Sequence, residues 1–300
     1  MSLKQTYYLR NFCKDDAKNI ATIDMLSMLS YMYNPDYKPE NIFCAVEKSN
    51  IIGFAHISPE YDWNNLQDDT CEDFVIKYNI CLVDNSNITL KNDLLNSLIK
   101  RARELKQLYP HKNLVLNNWF DSTNIDELSY YLSSGFQVGK SCFVMKYDLS
   151  KELKVVNKPN GIFFEPLSFA DSDNLNNYHR VLRAVFNCQT QSKNYFNWAK
   201  NGPERQVYGA YHNNNLVASI TTWRISENHS ATEDIFVVPS WRNKGLAKYM
   251  VIDALKQLKQ QGKSSATLSV FTDNSPAIKL YESLGYEIDA VMLGITMDCF

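Results

Sequence analysis

No two of the seven cysteines stand as C-x-x-C, and their odd number and scatter (Cys13, Cys44, Cys71, Cys81, Cys142, Cys188, Cys299) exclude a zinc knuckle or a disulfide framework. They read as reduced core or surface thiols, and no metal is expected. Nowhere does the chain approach the roughly 20 consecutive apolar residues of a membrane span, and its opening, Met1-Ser-Leu-Lys-Gln-Thr-Tyr7, has no apolar signal core. A soluble cytoplasmic protein is the expectation. A basic stripe is missing too: 31 basic and 33 acidic residues leave a net charge of −2, so neither nucleic acid nor an anionic membrane is a predicted partner. What the chain does have is apolar content, 45% over 300 residues, enough for two ordinary cores at typical domain size.

The most informative stretch is Glu233-Asp-Ile-Phe-Val-Val-Pro-Ser-Trp-Arg-Asn-Lys-Gly-Leu-Ala247. Ile235 to Val238 suits a buried strand, which Pro239 ends by removing a ladder donor and fixing φ. Beyond it, Leu246, Met250, Val251, Ile252, Ala254, Leu255 and Leu258 fall close to helical spacing, and Gly262 closes the helix. A helix start leaves backbone N–H groups unpaired and carries partial positive charge, so it attracts phosphate oxygens. Gly245 lets an anion approach the backbone, Arg242 and Lys244 add positive charge, and Ala247 is too small to cover the amides. The loop suits a pyrophosphate.

Arg242-Asn243-Lys244-Gly245-Leu246-Ala247 after Val237-Val238-Pro239, with Asn274-Ser-Pro-Ala-Ile-Lys-Leu-Tyr281-Glu-Ser-Leu-Gly285-Tyr286 downstream, resembles the two signature motifs of the GNAT superfamily of acyl-CoA-dependent N-acyltransferases. The resemblance implies an α/β fold with a twisted, mostly antiparallel mixed sheet flanked by helices. It further implies acetyl-CoA as co-substrate, bound through residues 242–247, Asn274 and backbone amides near Val237 and Val238, between two strands that splay apart. An amine would attack the thioester directly in a ternary complex, with Tyr281 as general acid for the leaving thiolate. Glu233-Asp234 before the apolar run resembles polyamine-type members, where the Glu is the base through water and the Asp contacts the cationic substrate. By two-residue alternation the two carboxylates are expected on opposite faces of the strand. His229, read as lying in a loop, is an alternative base. Asn274 is also a candidate cap for the helix that Pro276 enters. Tyr195, Phe196, Trp198, Trp223 and Tyr211 are candidates for an acceptor pocket or for the core.

The first half repeats the order of strands and helices. Ala45 to Ala55 runs parallel to Ala210 to Ile220, and Asn124, Tyr131 and Gly135-Phe136 echo Asn274, Tyr281 and Gly285-Tyr286. Two tandem GNAT-like domains are expected, 1–150 and 161–300, joined by a linker over 151–160 rich in Lys, Asn and Pro. The halves differ where the phosphate would sit. Opposite the Arg/Gly loop the first half has Val83-Asp-Asn-Ser-Asn-Ile-Thr-Leu-Lys-Asn92, without glycine or arginine, so this copy is read as degenerate. Three readings of the whole follow: an acetyltransferase acting on a small-molecule or peptide amine as monomer or homodimer, a non-catalytic acyl-CoA-binding protein, and, on the tandem layout alone, a mycothiol-synthase-like enzyme.

Overall fold

The computed structural model describes residues 6–187 and 189–300. Along the first half run β1 (Tyr8–Asn11), α1 (Ala17–Ile23), α2 (Met25–Tyr33), β2 (Ile42–Glu47), β3 (Asn50–Pro59), β4 (Asp73–Leu82), α3 (Ile88–Leu108), β5 (Asn113–Asp121), α4 (Ile125–Ser133) and β6 (Gln137–Asp148). The second half carries β7 (Phe163–Pro166), α5 (Ser172–Phe186), α6 (Lys193–Ala199), β8 (Gln206–His212), β9 (Asn215–Ser226), β10 (His229–Val237), α7 (Leu246–Gln260), β11 (Ser265–Phe271), α8 (Ser275–Leu284) and β12 (Glu287–Asp298). The chain divides into two compact units, one of residues 1–118, 131–137 and 295–300 and one of residues 119–130 and 138–294. The second unit thus takes residues 119–130 and most of β6 from the first half of the chain, and the first unit takes residues 295–300 from the second half. Among the described residues no helix is long and apolar enough to cross a membrane.

In the first unit β1, β2, β3 and β4 pair antiparallel in sequence order, and β4 pairs parallel with β5. Its core gathers Phe12, Ile20, Tyr31, Ile42, Cys44 and Phe54. In the second unit the order is β6-β11-β10-β9-β8-β7, antiparallel except for β10 with β11. That parallel pair needs a crossover, and α7 supplies it. Every apolar position of α7 anticipated from the spacing is buried, from Leu246 to Leu258, and these side chains pack with Met145, Ala210, Ala218, Ile220 and Leu268 in one core. Deleting such a side chain, as in Leu255→Ala, typically costs about 2–5 kcal/mol.

Five cysteines, Cys13, Cys44, Cys81, Cys142 and Cys299, are free thiols. Cys71 is disulfide-bonded, so the expectation of thiols throughout fails there.

Candidate active site

Strands β10 and β11 start together and then part. Their ladder consists of His229, Ala231 and Ser230 facing Ser265, Thr267 and Ala266, yet β10 continues to Val237 and β11 to Phe271. Beyond Ala231 the β11-facing edge of β10 therefore has no strand partner in that ladder. Past the end of β10 the chain makes one 3-10 turn, Pro239–Trp241, then reaches Asn243 (φ 61°) and Gly245 (φ 78°), both left-handed, and enters α7. Gly245 is the N-cap of α7 and offers no side chain to cap it, so the first helical amides face outward. A cavity of about 900 Å³ opens there. It is lined by the helix start (Asn243, Gly245, Leu246, Ala247), by Ile235, Phe236 and Val237 of β10, and by Asn274 and Tyr281 of the α8 segment.

Of the anticipated cofactor residues, Val237, Arg242, Asn243, Gly245, Leu246, Ala247 and Asn274 line this cavity. Arg242 lines it and donates from Nε to the carbonyl of Val237 at 3.1 Å, which ties the loop to the strand end. Lys244 lies with its ammonium 4.8 Å from the ring centre of Trp241, which holds a cation beside the loop. Leu246 is buried and contributes backbone only. Asn274 caps α8, its Oδ1 accepting from the amide of Ala277 at 3.3 Å, and it also lines the cavity. Val238 departs from expectation: its N–H donates to the carbonyl of Val217 at 2.9 Å and is consumed by the fold. Alternation along the strand turns the N–H of Val237 the other way, toward the gap.

Tyr281, on α8, lines the cavity and is buried, with its ring 5.8 Å from that of Tyr286. Burial pushes its phenol up to about 12, so it stays protonated at any ordinary pH and is in the donor form a general acid requires.

The carboxylate pair is arranged differently from the alternating expectation. Between Glu233 and Phe236 the β10–β9 register slips: Glu233 faces Thr221 while Phe236 faces Ser219, three steps against two. Asp234 takes the extra position as a bulge with φ 50°, a left-handed conformation that costs a non-glycine residue roughly 1–3 kcal/mol. The bulge breaks the alternation, and both carboxylates converge on one guanidinium. Arg205, in the turn before β8, donates from Nη2 to Asp234 Oδ2 at 3.3 Å, and its Nη1 lies 4.0 Å from Glu233 Oε2. Its side chain is only 5% exposed, with Tyr195 beneath it at 6.0 Å. Burial, and next the charge of Asp234, holds the Glu233 carboxyl above the ordinary range; burial does the same to Asp234 against the opposing pull of Arg205.

Sequence reading missed Arg205, which stands 28 positions before Glu233 in a turn without any motif. His229, expected in a loop, begins β10, and its two ring nitrogens hydrogen-bond Ser265 Oγ at 2.7 Å and Thr267 Oγ1 at 3.1 Å. It lies at the end of the strand remote from the phosphate loop and its imidazole is already engaged. Of the aromatic candidates, Phe196 is fully buried core, Tyr195 supports Arg205, and Trp223 faces Glu233 from β9.

The first unit keeps the splay, but its corresponding helix start is capped by a side chain. The β4–β5 ladder covers Asp73 to Lys77, whereas β4 runs on to Leu82. At the start of α3, however, Asn87 caps its own helix, Oδ1 accepting from Leu90 N at 3.0 Å. Asp84 accepts from the Oγ of Ser86 at 2.6 Å and from its amide at 3.0 Å, which holds its carboxyl below the usual range and keeps a negative charge beside the helix start.

An uncapped helix start thus lies at the mouth of a splayed parallel strand pair and lines the same cavity as a buried tyrosine. Residues 174–286 match the acetyltransferase (GNAT) family model, which spans 113 of the 300 residues. Over 61 residues it is 38% identical to a mycothiol acetyltransferase of Renibacterium salmoninarum, and over 80 residues 30% identical to an uncharacterized N-acetyltransferase of Methanocaldococcus jannaschii. Those matches cover 19% and 27% of this chain and only 18% and 34% of the two relatives. Over nearly its whole length the chain shares the fold of a tandem GNAT protein from the clavulanic acid biosynthesis pathway, with a TM-score of 0.66 at 13% identity, covering 98% of this chain and 99% of that one.

Proposed function

We propose that the protein moves an acetyl group from acetyl-CoA to a primary amine by direct attack in a ternary complex, with the second unit catalytic and the first a degenerate copy. The observation that carries this reading is the uncapped start of α7, open to the same cavity as Tyr281. Pyrophosphate oxygens would take the amides that follow Gly245, with Arg242 and Lys244 supplying charge. Acetyl-CoA supplies the activated thioester; the rest falls to residues of this chain. The N–H of Val237 is the donor available for the pantetheine or the thioester carbonyl, and the loss of such a donor typically costs about 10²–10³ in rate. An alkylammonium, with a pKa near ~10.4, must lose a proton before attack, and Glu233 takes it through water. As the C–N bond forms and the C–S bond breaks, Tyr281 delivers a proton to the sulfur, the nitrogen releases its second proton to water, and the phenolate is reprotonated from water.

A screen of primary amines, amino sugars and peptides for release of free CoA thiol tests the proposal. Turnover that disappears in Arg242→Glu supports it. Tight acetyl-CoA binding without acceptor-dependent thiol release across the screen would leave the non-catalytic acyl-CoA-binding reading in its place.

A further inference from the structure

The buried polar groups around the β10 bulge form a set that the acyl-carrier site does not use. Arg205 lies between two carboxylates, and the other groups that face them are Tyr178 from α5, Tyr195 from α6, and Thr221 and Trp223 from β9. Among the described residues the Nε of Arg205, the hydroxyls of Tyr178 and Thr221 and the indole N–H of Trp223 have no hydrogen-bond partner, although all four atoms are buried. Such groups are rarely left unpaired. Burial pushes both phenols upward, so Tyr178 and Tyr195 stay neutral, and the charges of the cluster are those of Arg205, Glu233 and Asp234 alone.

We propose that Arg205 is a positioning residue for the acceptor side: by pairing with Asp234 in the bulge it holds that carboxylate ionised and sets the local charge against which Glu233 accepts a proton. The inference rests on Glu233 as the base and adds the residue that controls it. Three features support it. The guanidinium is bonded to the strained residue, it is within 4.0 Å of the base, and it is almost wholly withdrawn from water, where an ion pair is least screened.

The sign of each perturbation follows. Glu233 works in its ionised form, so activity falls on the acid side of its titration. Removing the cation in Arg205→Met disfavours ionisation and should move the acid limb of the pH–rate profile up by about one to three pH units, the usual effect of an opposite charge at 4–6 Å. Removing the neighbouring anion in Asp234→Asn should move it down. A purely structural role predicts no such opposition.

The experiment measures kcat/KM against pH for the parent, both single variants and Arg205→Met/Asp234→Asn, with the carboxyl ¹³C titration of Glu233 followed in the same proteins. Opposite shifts in the singles and a near-parental limb in the double variant are the expected result. If Arg205→Met does not fold, comparing Asp234→Asn with the double variant reads the same influence without burying an unpaired carboxylate, and the limb should rise. A Glu233 carboxyl titration that Arg205→Met leaves in place, or that the double variant leaves where Asp234→Asn put it, overturns the proposal. The base reading fails separately: an acid limb that persists unchanged in Glu233→Gln removes Glu233 from catalysis, whereas the ¹³C titration still decides what Arg205 does.

Discussion

Helix α7 is bracketed by two glycines that make a matched pair of probes. Gly245 precedes it with φ 78°, Gly262 follows it with φ 81°, and at both positions an added Cβ would meet no atom within 4 Å. Gly262 closes a Schellman turn, its N–H bonding to the carbonyl of Lys259 and that of Lys263 to Leu258, each at 3.0 Å. Alanine at either site therefore has the same energetic cause, a left-handed residue with a Cβ, worth roughly 1–2 kcal/mol. For a unit of this size that is a fall in Tm of about 2–8 °C by scanning calorimetry. Binding separates the two. The open space above Gly245 is the proposed anion site, and a methyl group there would obstruct about two charge-assisted hydrogen bonds at about 1.5–3 kcal/mol each. Gly245→Ala should therefore weaken acetyl-CoA by about 10²–10⁴-fold in titration calorimetry, and Gly262→Ala should leave the affinity unchanged. Equal losses of affinity in the two variants would trace the effect to helix destabilisation, and an unaffected Gly245→Ala would place the pyrophosphate elsewhere.

The other expectations concern the remaining groups of the site and the first unit. Tyr281→Phe should lower turnover by about 10- to 10⁴-fold with little change in acetyl-CoA affinity. Because its phenol is held up near about 12, no alkaline limb from Tyr281 should appear below about pH 11, and an unchanged rate in steady-state kinetics would leave it a packing residue. Glu233→Gln should depress the rate most at low pH, where free amine is scarce, and recover in part as pH climbs toward the amine's own pKa; a pH–rate profile merely parallel to the parent's would exclude a carboxylate base. Asn87→Glu, at the self-capped start of α3, should leave acetyl-CoA binding intact by calorimetry, and a loss there would reverse the assignment of roles to the two units.

The loop from β10 to α7 was legible in the sequence because its determinants are local. A proline that ends a strand, a glycine in a left-handed cap and an apolar helical period act within about fifteen residues, and the end of β10, α7 and α8 formed where they were expected. The contrast between the units was legible for the same reason: a glycine N-cap leaves amides open, and an asparagine N-cap fills them. The carboxylates were a different matter. Alternation assumes an unbroken strand, but a bulge arises from register against β9, and the cation that stabilises its strained residue comes from a turn 29 positions upstream of Asp234. Whether the amide of Val238 was free depended likewise on the carbonyl of Val217, on another strand. Neighbours along the chain were enough to specify the two motifs, the open start of α7 and the placement of Tyr281 on α8. Which backbone donors remain open, that Glu233 and Asp234 share one buried guanidinium, and that residues 119–130, most of β6 and residues 295–300 join the unit built mainly from the other half of the chain all followed from which strands and turns meet in space.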